Sequence, residues 1–490
     1  MAVLDGLEPR EVFRFFEEIA GIPHGSRNTG AISAYLVAFA EERGLEVYRD
    51  EADNVVIKKP GTAGYEDHEP VILQGHIDMV CVKDAGVEID LDTEPIRLLC
   101  DGETITADGT SLGADDGIAV AAVMAILDSD AIAHPPIEAV FTADEEIGML
   151  GAQALDMGVL QGRRMINIDS EDEGIITCGC AGGATVKGRI PVVRAAECAG
   201  EVCRIVIEGL AGGHSGIEIV KGGANAHVLM GRLLERLCER LAGAWELICV
   251  DGGEKDNAIP AAAVAVVRGD VEAMTRVADE CERVFLQEYH ATDAGLRVRV
   301  ESGAGDGAGD GADIVAAAPM DEVSRARVID ALRVLPAGVQ RMSPDVEGLV
   351  QTSLNMGILH TTEEAVEIGF SVRSGVATEK EELIARVCRM IRLIGGEPAV
   401  EGAYPGWEYR VESPLREHMV ATFERVYGRT PVVDVIHAGL ECGFFAARID
   451  GLDAVSVGPD MKGVHTTGET LDVGSVARTW KYMVEVLRGM

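Results

Sequence analysis

The sequence predicts an α/β protein of 490 residues in two parts: a discontinuous domain over 1–186 and 402–490, and a second domain over 187–401 inserted into it. Three observations carry this reading. Amphipathic helices alternate with short apolar strands up to residue 186, the pattern of helices layered on a sheet. Near Val186 the rhythm changes to two helices over a handful of strands, twice, which suggests a pair of ferredoxin-like subdomains. From Leu415 the first pattern returns.

Taken in order, Pro9 to Glu42 reads as two amphipathic helices separated by the polar turn PHGSRNTG, followed by strands at Leu45 to Asp50 and Asn54 to Lys58. The run VILQGHIDMV, Val71 to Val80, reads as a buried strand. It presents His76 and Asp78 on one face, because residues two apart in an extended chain project the same way. Such a pair suits a metal ligand with its orienting carboxylate, and equally an ordinary hydrogen-bonded pair. ADGTSLGADDGIAV, Ala107 to Val120, opens a helix over Gly117 to Leu127. Asp115 and Asp116 there are either helix caps or carboxylates that a glycine-flanked turn brings close to cations. Strand Ile137 to Thr142 runs into Asp144, Glu145 and Glu146, whose mutual repulsion calls for a cationic partner. Arg164 to Ser170 delivers Asp169 in the same way.

The insert reads as strand Val202 to Glu208, helix Gly223 to Leu241, strands near Trp245 to Val250 and Ala262 to Val267, and helix Val271 to Tyr289. Strand Leu296 to Val300, helix Ser324 to Val334, two strands within Glu347 to Val372, helix Glu379 to Leu393 and strand Pro398 to Glu401 complete it. GAGDGAGDG, Gly303 to Gly311, opens no helix within a βαβ unit and has the wrong aspartate spacing for calcium, so it reads as a flexible surface loop. After the insert come a helix to Tyr427, strand Val432 to Ile436, the turn HAGLECG, strand Asp453 to Val457, a loop carrying His465, and a final helix from Val473 to Arg488.

Composition excludes several classes. With 43 basic against 82 acidic residues the formal charge is −39, which repels phosphate backbones and argues against a nucleic-acid partner. A salt-adapted host would give the same acidity. No apolar run reaches the length of a membrane span, and Met1 to Arg10 lacks the basic and apolar regions of a secretory signal. Eleven cysteines, an odd number in apolar contexts, fit buried thiols in a reducing compartment, and a cytoplasmic location is expected.

In open α/β sheets, sites lie beyond the carboxyl ends of strands. His76, Asp115, Glu146, Asp169 and His465 therefore stand as five candidate ligands on strand ends or loops at one sheet edge. Imidazole and carboxylate donors suit zinc, manganese or cobalt in hydrolytic sites, and the number of donors fits two cations better than one.

Nine motifs in order carry a resemblance over the whole chain: GHIDMV at 75–80, SLGADDGIA at 111–119, DEEIG at 144–148, NIDSE at 167–171, TCGCAGG at 177–183, GGHSG at 212–216, NAIP at 257–260, HAGLECG at 437–443 and GVHTTGE at 463–469. The sequence resembles the cytosolic zinc aminoacyl-histidine (Xaa-His, or β-alanyl-histidine) dipeptidases, within the wider group of dizinc aminoacylases, carboxypeptidases and carnosinases. HIDMVCVKD and HAGLECG point to the Xaa-His branch. The resemblance implies a dizinc exopeptidase-type catalytic domain, a mixed sheet between helices, with the insert as its lid. It makes Asp115 a ligand bridging two divalent cations, zinc or else manganese or cobalt. His76 and Asp169 complete one site, and Glu146 and His465 the other. Asp78 orients His76, and Glu145 is the general base that passes a proton from water to the leaving amine.

On the insert the resemblance implies that His214 stabilises the oxyanion, that Asn257 and Arg373 grip the dipeptide, and that Gly439 approaches its backbone. Glu441 is a weaker candidate for the substrate amine. Read without the resemblance, His214 is a loop histidine, Asn257 a turn residue and Arg373 a solvated strand residue, while Cys178 and Cys180 are core thiols. Asp116 departs from the asparagine expected there. In simpler relatives the lid histidine comes from a partner chain; here the doubled insert is expected to supply it in cis, with a homodimer still open. A tripeptidase, an N-acyl amino acid deacylase and an inactive metal-binding scaffold are the alternative functions.

Overall fold

The computed structural model describes residues 3–195, 200–242, 244–303 and 318–490, so the GAGDGAGDG segment lies outside the described residues apart from Gly303. The chain forms two compact units. One comprises Met1–Cys180, Tyr409–Val435 and Leu440–Met490; the other comprises Ala181–Glu408 and Ile436–Gly439.

The first unit is built on an eight-stranded sheet. Its strand order is Glu46–Arg49, Val55–Lys59, Ile137–Thr142, Val71–His76, Arg164–Asn167, Asp453–Ser456, Ile175–Cys180 and Val432–Ile436. Val71–His76 runs parallel to both its neighbours, Ile137–Thr142 and Arg164–Asn167. Asp453–Ser456 continues the parallel set beside Arg164–Asn167, while Val55–Lys59 pairs antiparallel with Ile137–Thr142. The sheet is therefore mixed, with a parallel centre. Every residue of Val71–His76 and of Ile137–Thr142 is buried, which explains their unbroken apolar runs.

Helix Ala114–Asp128 lies on strand Val71–His76, and helix Arg10–Ala20 packs in turn on that helix. The core gathers Phe13, Phe16 and Ile19 with Ile118, Met124, Leu73 and Phe141. Gly75 permits the close approach of helix to strand, since a Cβ there would stand 2.6 Å from Asp116 Oδ2 and 3.0 Å from Ala119 Cβ. Register matters most for the site: His76 pairs with Thr142 and Gln74 with Asn167, so the three central strands end at one level.

The second unit holds a four-stranded sheet, a five-stranded sheet and the small two-stranded pair of Gly213–His214 with Ala258–Ile259. The four-stranded sheet has the order Trp245–Asp251, Ala263–Gly269, Glu201–Glu208, Arg297–Ser302, all antiparallel, with helices Ala226–Leu241 and Val271–Tyr289 as crossovers. This is a β-α-β-β-α-β ferredoxin-like arrangement. The five-stranded sheet has the order Gly338–Met342, Val350–Thr361, Ala365–Ser374, Gly182–Pro191, Glu397–Tyr404. It repeats the plan with one extra edge strand, and its first strand precedes the whole four-stranded subdomain. The expected boundaries at 186/187 and 401/402 consequently fall inside strands Gly182–Pro191 and Glu397–Tyr404. Pairing of Gly182–Pro191 with Ala365–Ser374 spans far more chain than any local pattern reveals.

Candidate functional site

In the first unit the central strands deliver their side chains to one place. His76 ends its strand and is 1 % exposed. Its Nε2 stands 3.1 Å from Asp115 Oδ1 and 3.8 Å from Asp169 Oδ1. His465 Nε2 stands 3.1 Å from Asp115 Oδ2 and 2.8 Å from Glu146 Oε1. Asp115 thus turns one carboxylate oxygen to each histidine. Within this cluster, three groups each bring their donor atoms within 4.8 Å of one another: His76, Asp116 and Asp169; His76, Glu145 and Glu146; and Asp115, Glu146 and His465. All five expected ligands belong to these groups.

The capping alternative for Asp115 and Asp116 fails. Helix Ala114–Asp128 has Gly113 at its N-cap with no side-chain cap bond, and both aspartates carry non-helical backbone angles. Asp116 Oδ2 instead accepts the backbone N–H of His76 at 3.1 Å, while its Oδ1 is buried with no partner in the protein.

Asp78 does more than orient the imidazole. His76 Nδ1 lies 3.0 Å from its backbone oxygen and 3.4 Å from its Oδ1. The same carboxylate accepts the N–H of Glu145 at 2.9 Å and of Glu146 at 3.3 Å, and the Ser26 hydroxyl at 2.8 Å. It therefore sets the turn that carries the base candidate. Asp144 belongs to none of the three donor groups, and its Oδ1 accepts the N–H of Arg27. Sequence reading missed Ser26, which lies in the turn between the first two helices, and also Glu469, considered below.

The electrostatics follow from many acids around few cations. Burial pushes Glu145 up to about 7, with Glu146, Asp115 and Asp78 adding to the rise and His76 opposing it. Burial likewise raises Asp116 and Asp169 well above their ordinary value. For Asp115, burial is outweighed by hydrogen bonds with His465 and His76, and the net shift is downward. Hydrogen bonds with Asp115 and Glu146 raise His465 to about 10.

Glu441 lies beneath these strands with no exposed surface. Its Oε2 accepts Gln74 Nε2 and Thr142 Oγ1, each at 2.6 Å, and Gln74 Oε1 accepts Asn167 Nδ2. It joins a polar layer under the site, so the structure does not offer it to a substrate amine. Burial brings it to about 8. Cys178 and Cys180 are buried and form no disulfide, as is expected of core thiols, and Cys180 Sγ donates to Leu440 O.

The second unit gathers a different cluster. Arg373, on strand Ala365–Ser374, is 7 % exposed. Its Nη1 donates to Tyr404 Oη at 3.2 Å, its Nη2 lies 3.5 Å from His214 Nε2, and its Nε has no partner. Among the described residues no carboxylate pairs with it. His214 is exposed at the end of strand Gly213–His214, which pairs with Ala258–Ile259. Asn257 sits in the turn before that strand, and its backbone oxygen accepts the N–H of Ser215 at 2.8 Å. His437 Nε2 lies 2.7 Å from Ser353 Oγ, and Ser353 is the cross-strand partner of Arg373. Burial, then the Arg373 charge, push His437 down to about 4 and lower His214 as well. Gly439 is half-buried two residues beyond His437.

Residues 72–489 match peptidase family M20/M25/M40. The chain belongs to this family. It is 36 % identical to the cytosol non-specific dipeptidase of Escherichia coli (strain K12), over 100 % of this chain and 99 % of that protein. The aminoacylhistidine dipeptidase of Vibrio alginolyticus superposes with a TM-score of 0.92 at 36 % identity, over 99 % of this chain and 98 % of that one. A tripeptidase of Staphylococcus aureus shares the fold at a TM-score of 0.58 and 16 % identity, over 98 % of each chain. The M20/M25/M40 assignment makes the protein a peptidase. No described helix is long and apolar enough to cross a membrane.

Proposed function

We propose that the protein is a two-cation dipeptidase with a preference for Xaa-His substrates, β-alanyl-histidine included. The observation that carries this reading is Asp115, whose two carboxylate oxygens stand 3.1 Å from His76 Nε2 and 3.1 Å from His465 Nε2. The donor set fits divalent cations. Donor atoms around one tetrahedral zinc stand roughly 3.4 Å apart, and the separations here run from 2.8 to 3.8 Å. Six carboxyl groups facing two histidines also leave negative charge that burial penalises unless cations offset it. His76 and Asp169 would hold one ion, Glu146 and His465 the other, and Asp115 would bridge. Protons held between histidine and carboxylate in the metal-free protein would be displaced if cations bound there. Zinc fits, as do manganese and cobalt.

When bound, two such ions supply Lewis acidity, polarising the scissile carbonyl and acidifying water. The residues do the rest. Glu145, poised near neutrality, takes the proton of the attacking water and returns it to the leaving amine. Asp78 holds Glu145 by its backbone N–H. The Arg373 guanidinium, buried and without an anion among the described residues, suits the terminal carboxylate of a dipeptide. His214 donates to the oxyanion, and Asn257 and Gly439 line the substrate backbone. Residues 187–401 act as a lid that supplies His214 in cis. The Escherichia coli relative is named a non-specific dipeptidase and the Vibrio alginolyticus one an aminoacylhistidine dipeptidase, and both names support dipeptide substrates. The free Arg373 cation favours them over substrates without a nearby carboxylate. A cytoplasmic location accords with described cysteines that form no disulfide.

The test is metal analysis of purified protein followed by rates on β-alanyl-histidine, glycyl-histidine, dipeptides lacking histidine, tripeptides and N-acetyl amino acids. The Xaa-His pair should lead. Equal rates on all dipeptides would leave a non-specific dipeptidase, and preference for acylated or longer substrates would overturn the reading.

A further inference from the structure

Helix Ala114–Asp128 begins in a turn whose N–H groups have no helical acceptors, and no local side chain caps them. The acceptor comes from the other end of the chain. Glu469 Oε2 accepts the N–H of Leu112 at 2.7 Å and of Gly113 at 3.1 Å; its Oε1 accepts those of Ala114 at 2.9 Å and Asp115 at 3.4 Å. The side chain is 3 % exposed. Gly113, at φ +69°, bends the backbone so that successive N–H groups converge on one carboxylate. A Cβ at Gly113 would stand 2.7 Å from Met79 Sδ, so the turn admits no other residue without displacement.

Glu469 also shares a tight turn with His465. Thr466 Oγ1 donates to Gly463 O at 2.6 Å and accepts from Gly468 N at 3.1 Å, and Glu469 N donates to Thr466 O at 3.3 Å. Beyond it, strand Thr470–Asp472 pairs with Thr104–Ala107. One short, braced segment therefore presents His465 to the Asp115 carboxylate and, four residues on, grips the Asp115 backbone.

We infer that Glu469 is a positioning residue for the two-cation centre. By holding the backbone of residues 112–115 it fixes Asp115 against His76 and His465, though it touches no ligand atom of its own. This rests on the two-cation reading above. Four N–H acceptances from one carboxylate cannot be reproduced by an amide, whose NH2 would face two donors. Glu469→Gln is therefore a near-isosteric break.

The experiment measures zinc affinity of the full-length wild type, Glu469→Gln and Glu469→Ala by competition with a chromophoric chelator. Amide hydrogen exchange of residues 112–115 in metal-free protein and dipeptide kcat and KM accompany it. Asp453→Asn is the control. Asp453 is a buried carboxylate in the same unit, bonded to Ser413 Oγ at 2.5 Å and Leu415 N at 2.9 Å, at the start of its strand. Glu469→Gln should lose about 10–100-fold in zinc affinity, expose the Gly113 to Asp115 amides, and lower kcat with KM unchanged. Asp453→Asn should lower thermal stability and leave zinc affinity within about twofold. Wild-type zinc affinity in Glu469→Gln, or an equal loss in Asp453→Asn, overturns the inference. A wild type that binds no divalent cation fails the two-cation reading instead. If Glu469→Ala does not fold, Glu469→Gln decides.

Discussion

The two clusters treat histidine in opposite ways. In the first, His465 is raised to about 10 by Asp115 and Glu146; in the second, His437 is driven to about 4 by burial and then by Arg373. The first cluster has acids in excess of cations, and the second has a buried guanidinium without an acid among the described residues. Burying a charge without a partner is costly, so on the proposed reading each cluster would be completed by a ligand of opposite sign. The acidic cluster suits metal ions and the basic one a substrate carboxylate. On the proposed reading a dipeptidase would use both, with chemistry at a parallel sheet edge and recognition at an antiparallel ladder.

Four experiments would sharpen or break that division. The largest effect is expected for Glu145→Gln, which should cut kcat by about 10²–10⁴ with metal content unchanged; a fall in metal content would make Glu145 a ligand rather than the base. His214→Ala should cost about 10²–10³ in kcat and leave metal content intact. Mixing it with Glu145→Ala chains should recover no activity, whereas recovery would show that a partner chain supplies the histidine.

Third comes the pH dependence of stability at His437. Its folded pKa, about 4, lies below the unfolded value, so its contribution is fully present above about pH 6.5 and is lost as pH falls towards 4. The loss amounts to about 3 kcal/mol. Urea midpoints at pH 7.5 and 4.5 should therefore differ less in His437→Gln than in the wild type, and equal differences would remove His437 from this account. The smallest effect is expected for Arg373→Ala, with KM raised about 10–100-fold and zinc affinity unaltered; a metal effect there would blur the two roles.

Much of the first cluster was legible because buried parallel strands read as continuous apolar runs. His76, Glu146 and Asp169 each follow such a run, and the structure brings them together. What stayed hidden depends on backbone geometry and distant pairing. Asp115 and Asp116 could pass for caps until Gly113 was found at the N-cap. No local pattern tells that Asp78 accepts the N–H groups of Glu145 and Glu146, or that Glu469 accepts those of residues 112–115, because backbone donors leave no trace in residue type. Glu441 looked like a loop carboxylate, yet it is enclosed with Gln74 and Thr142. Strand Gly182–Pro191 was split by a boundary because its partners lie across the entire four-stranded subdomain.

The central claim is that Asp115 joins two cation sites. Calorimetric titration of metal-free protein with zinc tests it, run on the wild type, His465→Asn and Asp115→Asn. The account predicts two equivalents per chain in the wild type, one site weakened in His465→Asn, and both weakened together in Asp115→Asn. A single equivalent in the wild type, or an Asp115→Asn chain that still fills one site at full affinity, would contradict it.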